Sequence, residues 1–237
     1  MLIPPLVVGV NGSPSWVHSS RHSARQIKTR WVSSSPLLEP IRPVRSIVWP
    51  GRIAMTICQT ERLILTSARP EHEAELIKLH NDPLVQKLNY RNVPQTAEAV
   101  HKWLGWLLAQ WRKNGFGYWM VYEKLDGDPV FIGRCGLCDY QDTGDLEFAW
   151  VFFQDKVGRG LGPEAAHFTI AHALHNSTKE KIIGFIEQGN ARAESAAKKI
   201  GLRYRGDRLY EGKLCRYYEM TRDQYLSRPR IEQDRCE

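Results

Sequence analysis

The chain has 237 residues, of which 42% are hydrophobic and 25% are charged, and this composition is typical of a soluble globular protein with one domain and additional segments. The net charge is +7, but residues 1–54 contain seven Lys or Arg side chains and one acid, which leaves +1 for the remaining residues. The excess positive charge therefore lies in the N-terminal segment. Because the rest of the chain is nearly neutral, we do not expect it to bind nucleic acid directly.

Residues 1–54 are rich in Ser, Pro and Arg and lack a sustained hydrophobic period, so we predict that they are disordered. Their apolar start is too short for a membrane span, and no positive segment precedes it as in a secretory signal. The composition also resembles an organellar transit peptide. We favour a natural start at Met55, which leaves residues 55–228 as the folded domain and 229–237 as a C-terminal tail.

The five cysteines are scattered and odd in number, which indicates a reducing compartment, predicts no disulfide framework and favours a cytoplasmic protein. Cys135 and Cys138 form a C-x-x-C pair inside a predicted strand, where such positions point to opposite faces. No second pair completes a zinc site. His172 and His175 are one turn apart on a predicted helix but have no acidic or cysteine partner at ligand spacing. We therefore expect no metal.

The first half of the domain predicts a strand at 62–66, helices at 70–80 and 84–88, and a long helix at 96–113. Thr96 is the predicted N-cap of the long helix. Its apolar side chains recur at helical spacing, which predicts a buried stripe. The stripe consists of Trp103, Leu104, Leu107, Leu108 and Trp111.

Three strands follow in a meander, at 117–125, 129–140 and 146–153, with turn residues between them. A glycine-rich loop then leads into a helix at 164–175, a strand at 181–187 and a helix at 191–200. Gly201 is a natural C-cap for that last helix. Two strands, at 202–210 and 213–221, complete a pattern that is typical of a layered α+β domain.

The glycine-rich loop reads Val-Gly-Arg-Gly-Leu-Gly over residues 157–162. Glycines at 158, 160 and 162 permit a tight turn and a close approach of the backbone to a ligand. The free N–H groups and the positive dipole end of the following helix suit a phosphate. The spacing matches neither a P-loop nor the dinucleotide-binding G-x-G-x-x-G. A helix entry with flexible glycines is the alternative interpretation.

The segment LEFAWVFFQDKVGRGLGPEAA resembles the acetyl-CoA loop of the GNAT N-acetyltransferases, and most of all the branch of the ribosomal-protein acetyltransferases RimJ and RimL. Their loop has the pattern [QR]-x-x-G-x-[GA], in which Val157 here replaces Gln or Arg. A second pattern, N-x-x-S-x-x-x-x-x-x-x-G-F, is resembled from Asn190 to Leu202, with Ala193 at the Ser position. The resemblance extends over roughly residues 60–226.

The resemblance implies a GNAT-like layered α+β fold with a central mixed, mostly antiparallel sheet of about six or seven strands flanked by helices. It implies an acetyl-CoA-dependent N-acetyltransferase, whose acceptor is a primary amine that attacks directly through a tetrahedral intermediate. The acceptor is a small molecule or a protein N-terminus, with a slight preference for a ribosomal protein. A non-catalytic acyl-CoA-binding module is the alternative. We expect a monomer or homodimer without membrane contact.

The resemblance also implies functional residues. Glu147 is the candidate base, because a carboxylate in an apolar strand is partly desolvated and its pKa rises. An ordinary outward-facing residue is the alternative. A backbone N–H near Trp150–Phe152 is expected to polarise the thioester carbonyl where two strands splay apart. The expected cofactor-binding residues are Trp150, Val151, Phe152, Val157, Gly158, Arg159, Gly160, Leu161, Gly162 and Asn190.

Two of the cofactor-binding assignments have alternatives, and the general acid is unassigned. Arg159 either adds charge to the phosphate cradle or is a solvated surface residue. Asn190 either contacts the pantetheine or caps a helix. The general acid is open, because Ala193 and Ala197 occupy the two positions where the resembled proteins have Ser or Tyr. The nearby candidates are Ser195, Tyr217 and Tyr218, and solvent or the acceptor ammonium is a further proton source.

Overall fold

The computed structural model describes residues 45–47 and 55–228. The predictions for the N-terminal segment and for the tail at 229–237 lie largely outside these residues. Arg45–Ile47 is the exception, because it forms a short strand in a region for which the sequence predicts no regular structure.

The described residues form one sheet with the strand order β1-β2-β3-β4-β5-β6-β7-β9-β8. Neighbouring strands are antiparallel except for β6 and β7, which are parallel. The strands are β1 Arg45–Ile47, β2 Met55–Gln59, β3 Leu63–Ser67, β4 Tyr118–Glu123, β5 Val130–Asp139, β6 Leu146–Phe152, β7 Lys181–Glu187, β8 Arg203–Tyr210 and β9 Lys213–Thr221. The expectation of a mixed, mostly antiparallel sheet is confirmed.

The expected number of six or seven strands is too low. Eight strands lie within residues 55–228, and β1 adds a ninth. The sequence analysis misses β2 because its segment MTICQ lacks the apolar run of the equally short β3, LILTS. This segment is a strand because it pairs with β3, with Cys58 opposite Leu65.

Within residues 45–47 and 55–228, six helices flank the sheet, and most match the predictions within a few residues. They are α1 Glu73–His80, α2 Pro83–Asn89, α3 Ala97–Asn114, α4 Leu161–His175, α5 Ala191–Lys199 and α6 Arg222–Leu226. Thr96 caps α3 as predicted, since its side chain accepts a hydrogen bond from the Ala99 N–H at 3.1 Å. Helix α4 begins at Leu161, three residues before the predicted start, so it includes the end of the glycine loop. The short helix α6 was not predicted.

The two faces of the sheet carry different helices. On one face, Trp103 of α3 stacks on Tyr118 of β4 with ring centroids 6.1 Å apart. On the other face, Phe168 of α4 packs edge to face against Trp119 at 5.2 Å. The predicted stripe of α3 is confirmed as core, with only Leu108 half-buried.

The C-x-x-C pair straddles the sheet as its spacing predicts. Cys135 contacts Thr169 of α4 at 3.6 Å, whereas Cys138 lies on the opposite face, across from Glu147. Both thiols are buried, and burial raises the pKa of Cys135 to about 12. They are structural cysteines.

The sheet opens between its two parallel strands. Strands β6 and β7 pair only at Leu146–Ile182 and Glu147–Ile183. Beyond that point β6 stays paired with β5 as far as Phe152, and β7 stays paired with β9 as far as Glu187. The two strands therefore diverge from Glu147 onward and leave a V-shaped opening in the sheet.

Candidate active site

The backbone of β6 presents hydrogen-bond donors to this opening. The Phe153 N–H donates to the Ile132 carbonyl on the β5 side at 3.0 Å. N–H groups of an antiparallel strand alternate in direction, so those of Trp150 and Phe152 point away from β5 and toward the opening. Pairing with β7 has already ended there. The splay and its N–H donors therefore lie where the resemblance implied.

The glycine loop connects β6 to α4 through a short 3-10 turn, Gln154–Lys156. Gly158 and Gly160 have φ angles of +87° and +83°, a conformation in which side chains with a Cβ are strained. Gly160 is the N-cap of α4 and provides no side-chain cap. The N–H groups of the first helical turn are thus available to an anion. Leu161 is buried and anchors the turn.

Arg62 and Glu164 fasten the loop to the start of β3, a contact that the sequence analysis did not predict. The Glu164 carboxylate accepts hydrogen bonds from the Thr60 hydroxyl at 2.5 Å and from the Arg62 N–H at 2.9 Å. Arg62 Nε pairs with its second oxygen at 2.7 Å, and Arg62 Nη1 donates to the Arg159 carbonyl at 3.0 Å. The charge of Glu164, which would repel a phosphate at this helix end, is compensated.

Arg159 is held by a carboxylate rather than exposed as a free cation. Its guanidinium contacts both oxygens of Glu123, at 2.5 and 2.9 Å. The Glu123 side chain is only 5% exposed, and Lys156 also approaches it at 3.7 Å. Arg159 therefore ties the loop to the end of β4. A direct contact with a phosphate requires this ion pair to open, and that role stays a prediction.

Glu147 lies at the vertex of the opening, in the last pair that β6 makes with β7. Its Oε1 atom accepts a hydrogen bond from the Tyr210 hydroxyl at 2.6 Å. Burial raises the pKa of this carboxyl group, against the opposing effects of the Tyr210 hydrogen bond and the Arg134 charge. The side chain is thus partly buried beside the opening, unlike the outward-facing alternative.

An aromatic wall lies next to Glu147, formed by Tyr140, Phe185 and Tyr210. Tyr210 stacks on Phe185 with ring centroids 4.1 Å apart, and Tyr140 lies 5.6 Å from Phe185. Phe185 belongs to the diverging part of β7. The wall therefore borders the opening, and the sequence analysis had singled out none of its three residues.

The turn between β8 and β9 brings a second carboxylate to this side. Glu211 has a positive φ of 49°, and burial, followed by the charge of Glu147, raises its pKa to about 7. The Arg91 side chain, from the loop between α2 and α3, donates to the Glu211 carbonyl at 3.2 Å. The hairpin end and that loop thus enclose the same side of the site. Neither residue carried a sequence signal, because 120 positions separate them.

Helix α5 has Ala193 and Ala197 at the two positions where the resembled proteins have Ser or Tyr, so it offers no hydroxyl group there. Asn190 caps this helix, with Oδ1 accepting from the Ala193 N–H at 3.1 Å. The alternative that Asn190 is a helix cap is therefore realised, and contact with pantetheine stays a prediction. Ser195 is exposed on the helix surface.

Tyr217 and Tyr218 have partners other than the candidate base. The Tyr217 hydroxyl donates to Glu219 and the Tyr218 hydroxyl donates to Glu194, each at 3.1 Å. In the described part of the chain, the tyrosine that donates to Glu147 is Tyr210.

His172, which the sequence analysis considered as a metal ligand, lies in the core. His172 is packed against Trp119, with ring centroids 4.9 Å apart, and burial lowers its pKa to about 4. Within residues 45–47 and 55–228, no group of three or more His, Cys, Asp or Glu side chains is arranged to hold a metal ion. None of the helices in the same residues is long and apolar enough to cross a membrane.

The sequence of residues 62–203 matches the family described as the acetyltransferase (GNAT) domain. These residues are more than half of the chain and include β6, the glycine loop, α4 and α5. The chain belongs to the GNAT acetyltransferase family, and membership identifies it as an acyltransferase.

Solved structures share the fold at low sequence identity. An acetyltransferase from Agrobacterium tumefaciens matches with a TM-score of 0.60 and 18% identity, over 74% of this chain and 98% of that one. The aminoglycoside acetyltransferase AAC(6')-Ib, solved with coenzyme A, matches with a TM-score of 0.55 and 19% identity, over 69% and 95%. A Vibrio cholerae protein with a proposed ribosomal-protein-serine acetyltransferase activity matches at 0.55 and 14%, over 70% and 97%.

Proposed function

We propose that the protein is an acetyl-CoA-dependent N-acetyltransferase that acts on a primary amine. The observation that carries this proposal is the opening between β6 and β7, which begins at the carboxylate of Glu147 and lies beside the strand that leads into the glycine loop. A candidate phosphate-binding backbone and a partly buried candidate base are thus joined by one strand, β6.

In this proposal the pyrophosphate of acetyl-CoA binds the loop at 157–162 and the first-turn N–H groups of α4. The pantetheine arm lies in the opening along Trp150, Val151 and Phe152, with Asn190 near its other side. The binding of coenzyme A by AAC(6')-Ib, which has the same fold, supports this assignment.

The chemistry assigned to the chain needs three events. Glu147 accepts a proton from the acceptor ammonium, and the freed nitrogen lone pair bonds to the thioester carbon. The N–H groups of β6 stabilise the negative charge that forms on the carbonyl oxygen. The carbon–sulfur bond then breaks, and the nitrogen gives up a second proton, which balances the one that the thiolate takes up. The product leaves as an amide, and Glu147 returns its proton to solvent.

The acceptor is a cationic amine, for which the carboxylates of Glu147 and Glu211 and the aromatic wall are suitable partners. The resemblance to RimJ and RimL, together with the Vibrio cholerae structure, favours a protein N-terminus. The AAC(6')-Ib match favours a small-molecule amine. Cys135, Cys138 and Cys215 form no disulfide in the described part of the chain, which supports a reducing compartment such as the cytoplasm.

The test is release of the coenzyme A thiol from acetyl-CoA by the full-length protein with a panel of amines. The panel contains peptides with free N-termini, an aminoglycoside and simple primary amines, and a reaction without acceptor is the control. Acceptor-dependent thiol release and acetylated product by mass spectrometry are expected. No product with any amine, at acetyl-CoA concentrations that stabilise the fold, would contradict the enzymatic proposal.

A second candidate function is a non-catalytic acyl-CoA-binding module. Ala193 and Ala197 favour it, because α5 has no hydroxyl group at the two positions where the resembled proteins carry one that could protonate the leaving thiolate. Stabilisation by acetyl-CoA without turnover is the result that this alternative predicts.

A further inference from the structure

The two oxygens of the Glu147 carboxylate have different environments. Oε1 accepts the Tyr210 hydroxyl at 2.6 Å, a distance typical of a hydrogen bond to a charged group. Within residues 55–228, no side chain donates to Oε2. The carboxylate is thus held by one oxygen while the other is available.

The position of the Tyr210 hydroxyl is itself fixed by packing. Its ring stacks on Phe185 with an interplanar angle of 17°. The next residue, Glu211, is tied through its carbonyl to Arg91. Tyr210 is therefore anchored to β7 on one side and, through the hairpin end, to the loop before α3 on the other.

We propose that Tyr210 is a positioning residue for the base: its hydroxyl fixes Oε1 of Glu147 and leaves Oε2 to the acceptor amine. This inference rests on the proposed function, because it assigns the orientation of the same carboxylate. The hydroxyl approaches from β8, on the face opposite α4, and so it does not depend on a hydroxyl from α5.

The hydrogen bond also affects the pKa of Glu147, together with several neighbouring groups. The titratable and charged groups close to it are Tyr118 of β4, Arg134 and Cys138 of β5, Tyr140 beyond β5, Tyr210 of β8 and Glu211 of the hairpin turn. Burial raises the pKa of Glu147, and the Tyr210 hydrogen bond and the Arg134 charge lower it. Loss of the hydroxyl therefore raises this pKa further.

Tyr210→Phe tests the proposal, because phenylalanine keeps the ring that stacks on Phe185 and removes only the hydroxyl. Tyr217→Phe is the matched control, since it removes a hydroxyl that donates to Glu219 from a ring 5.5 Å from the same Phe185. The first measurement follows the ¹³C resonance of the Glu147 carboxyl group against pH in the full-length protein. We expect the pKa of Glu147 to rise by about one unit in Tyr210→Phe and to stay unchanged in Tyr217→Phe.

The second measurement is the pH dependence of kcat/KM for the acceptor. In Tyr210→Phe, the midpoint of the acidic limb should shift to higher pH by the same amount as the pKa of Glu147, because more of the base is protonated at a given pH. The KM for acetyl-CoA should stay constant. An unmoved carboxyl titration, or an equal shift in both variants, would overturn the proposal. If no variant shows turnover, the proposed function fails, and the carboxyl titration still decides the role of Tyr210.

Discussion

The cofactor loop and the acceptor side of the site are built in different ways. The loop is one continuous segment of backbone, residues 157–164, whose glycines and helix start provide the binding groups. The acceptor side is assembled from side chains far apart in the sequence, since Glu147 and Tyr210 are separated by 63 positions. The loop therefore depends on backbone conformation, whereas the acceptor side depends on the docking of the β8–β9 hairpin.

This difference explains which substitutions each region tolerates. Replacing a side chain in the loop leaves its N–H groups in place unless the glycine conformation is lost. On the acceptor side, each replacement removes a partner of a buried carboxylate, which changes its charge state. Substitutions in the two regions should therefore separate cofactor binding from turnover.

The largest expected effect is that of Glu147→Gln. Loss of the base should lower kcat/KM for the acceptor by about 10²–10⁴-fold, without weakening the binding of acetyl-CoA. Thiol release over a range of pH measures the first quantity, and thermal unfolding with acetyl-CoA measures the second. Unchanged turnover at every pH would remove Glu147 from the mechanism.

Gly160→Val should abolish cofactor binding and leave the acceptor side intact. A β-branched residue at a φ of +83° costs about 1–3 kcal/mol and forces the loop to rearrange. The stabilisation of about 2.7 kcal/mol expected at 100 times the dissociation constant of acetyl-CoA should disappear. Gly144→Val, at a φ of +84° in the turn before β6, is the matched control and should keep this stabilisation. If both variants lost the stabilisation by acetyl-CoA equally, backbone strain in general would explain the loss, and the glycine loop would have no specific role in binding.

Arg62→Ala should weaken the attachment of the loop to β3. The variant loses the ion pair with Glu164 and the bond to the Arg159 carbonyl, so we expect a loss of about 1 kcal/mol in stability and a several-fold increase in the KM for acetyl-CoA. Lys102→Ala breaks an exposed ion pair with Glu98 and should change neither quantity appreciably. Urea unfolding and initial rates provide the comparison, and a KM equal to that of Lys102→Ala would contradict the anchoring role.

The smallest expected effect concerns Glu211. Its pKa is raised from 4.5 to about 7, so its contribution to stability is present below pH 4.5 and is lost as the pH rises to about 7. Glu211→Gln should therefore reduce the fall in melting temperature between pH 5 and pH 8. Because the group is partly exposed and screened by solvent, we expect a difference of less than about 1 kcal/mol. If the melting temperatures of the two proteins depend on pH in the same way, the pKa of Glu211 is not raised in the folded protein.

The features that could be predicted are those determined by short, continuous stretches of sequence. The strand, glycine loop and helix around Gly160, the cap at Thr96 and the buried stripe of α3 all have local sequence signals, and the structure contains each of them. The opening beyond Glu147 was expected only from resemblance, because strand divergence has no sequence pattern.

The features that were missed depend on tertiary pairing. Strand β2 has a weaker apolar pattern than the equally short β3, and it is defined by its pairing with β3. Arg159 appeared to be either a phosphate ligand or a surface residue, since its partner Glu123 lies 36 positions away. Tyr210 was overlooked for the same reason, because nothing near position 210 indicates contact with β6.

Hydrogen–deuterium exchange of the full-length protein, with and without acetyl-CoA, tests the central claim most directly. If the opening between β6 and β7 holds the cofactor, acetyl-CoA should slow exchange in peptides that cover 148–152 and 158–164, and leave the β4–β5 turn around Gly127 unchanged. Protection confined to other segments, or none at saturating acetyl-CoA, would contradict the assignment of this opening as the cofactor site.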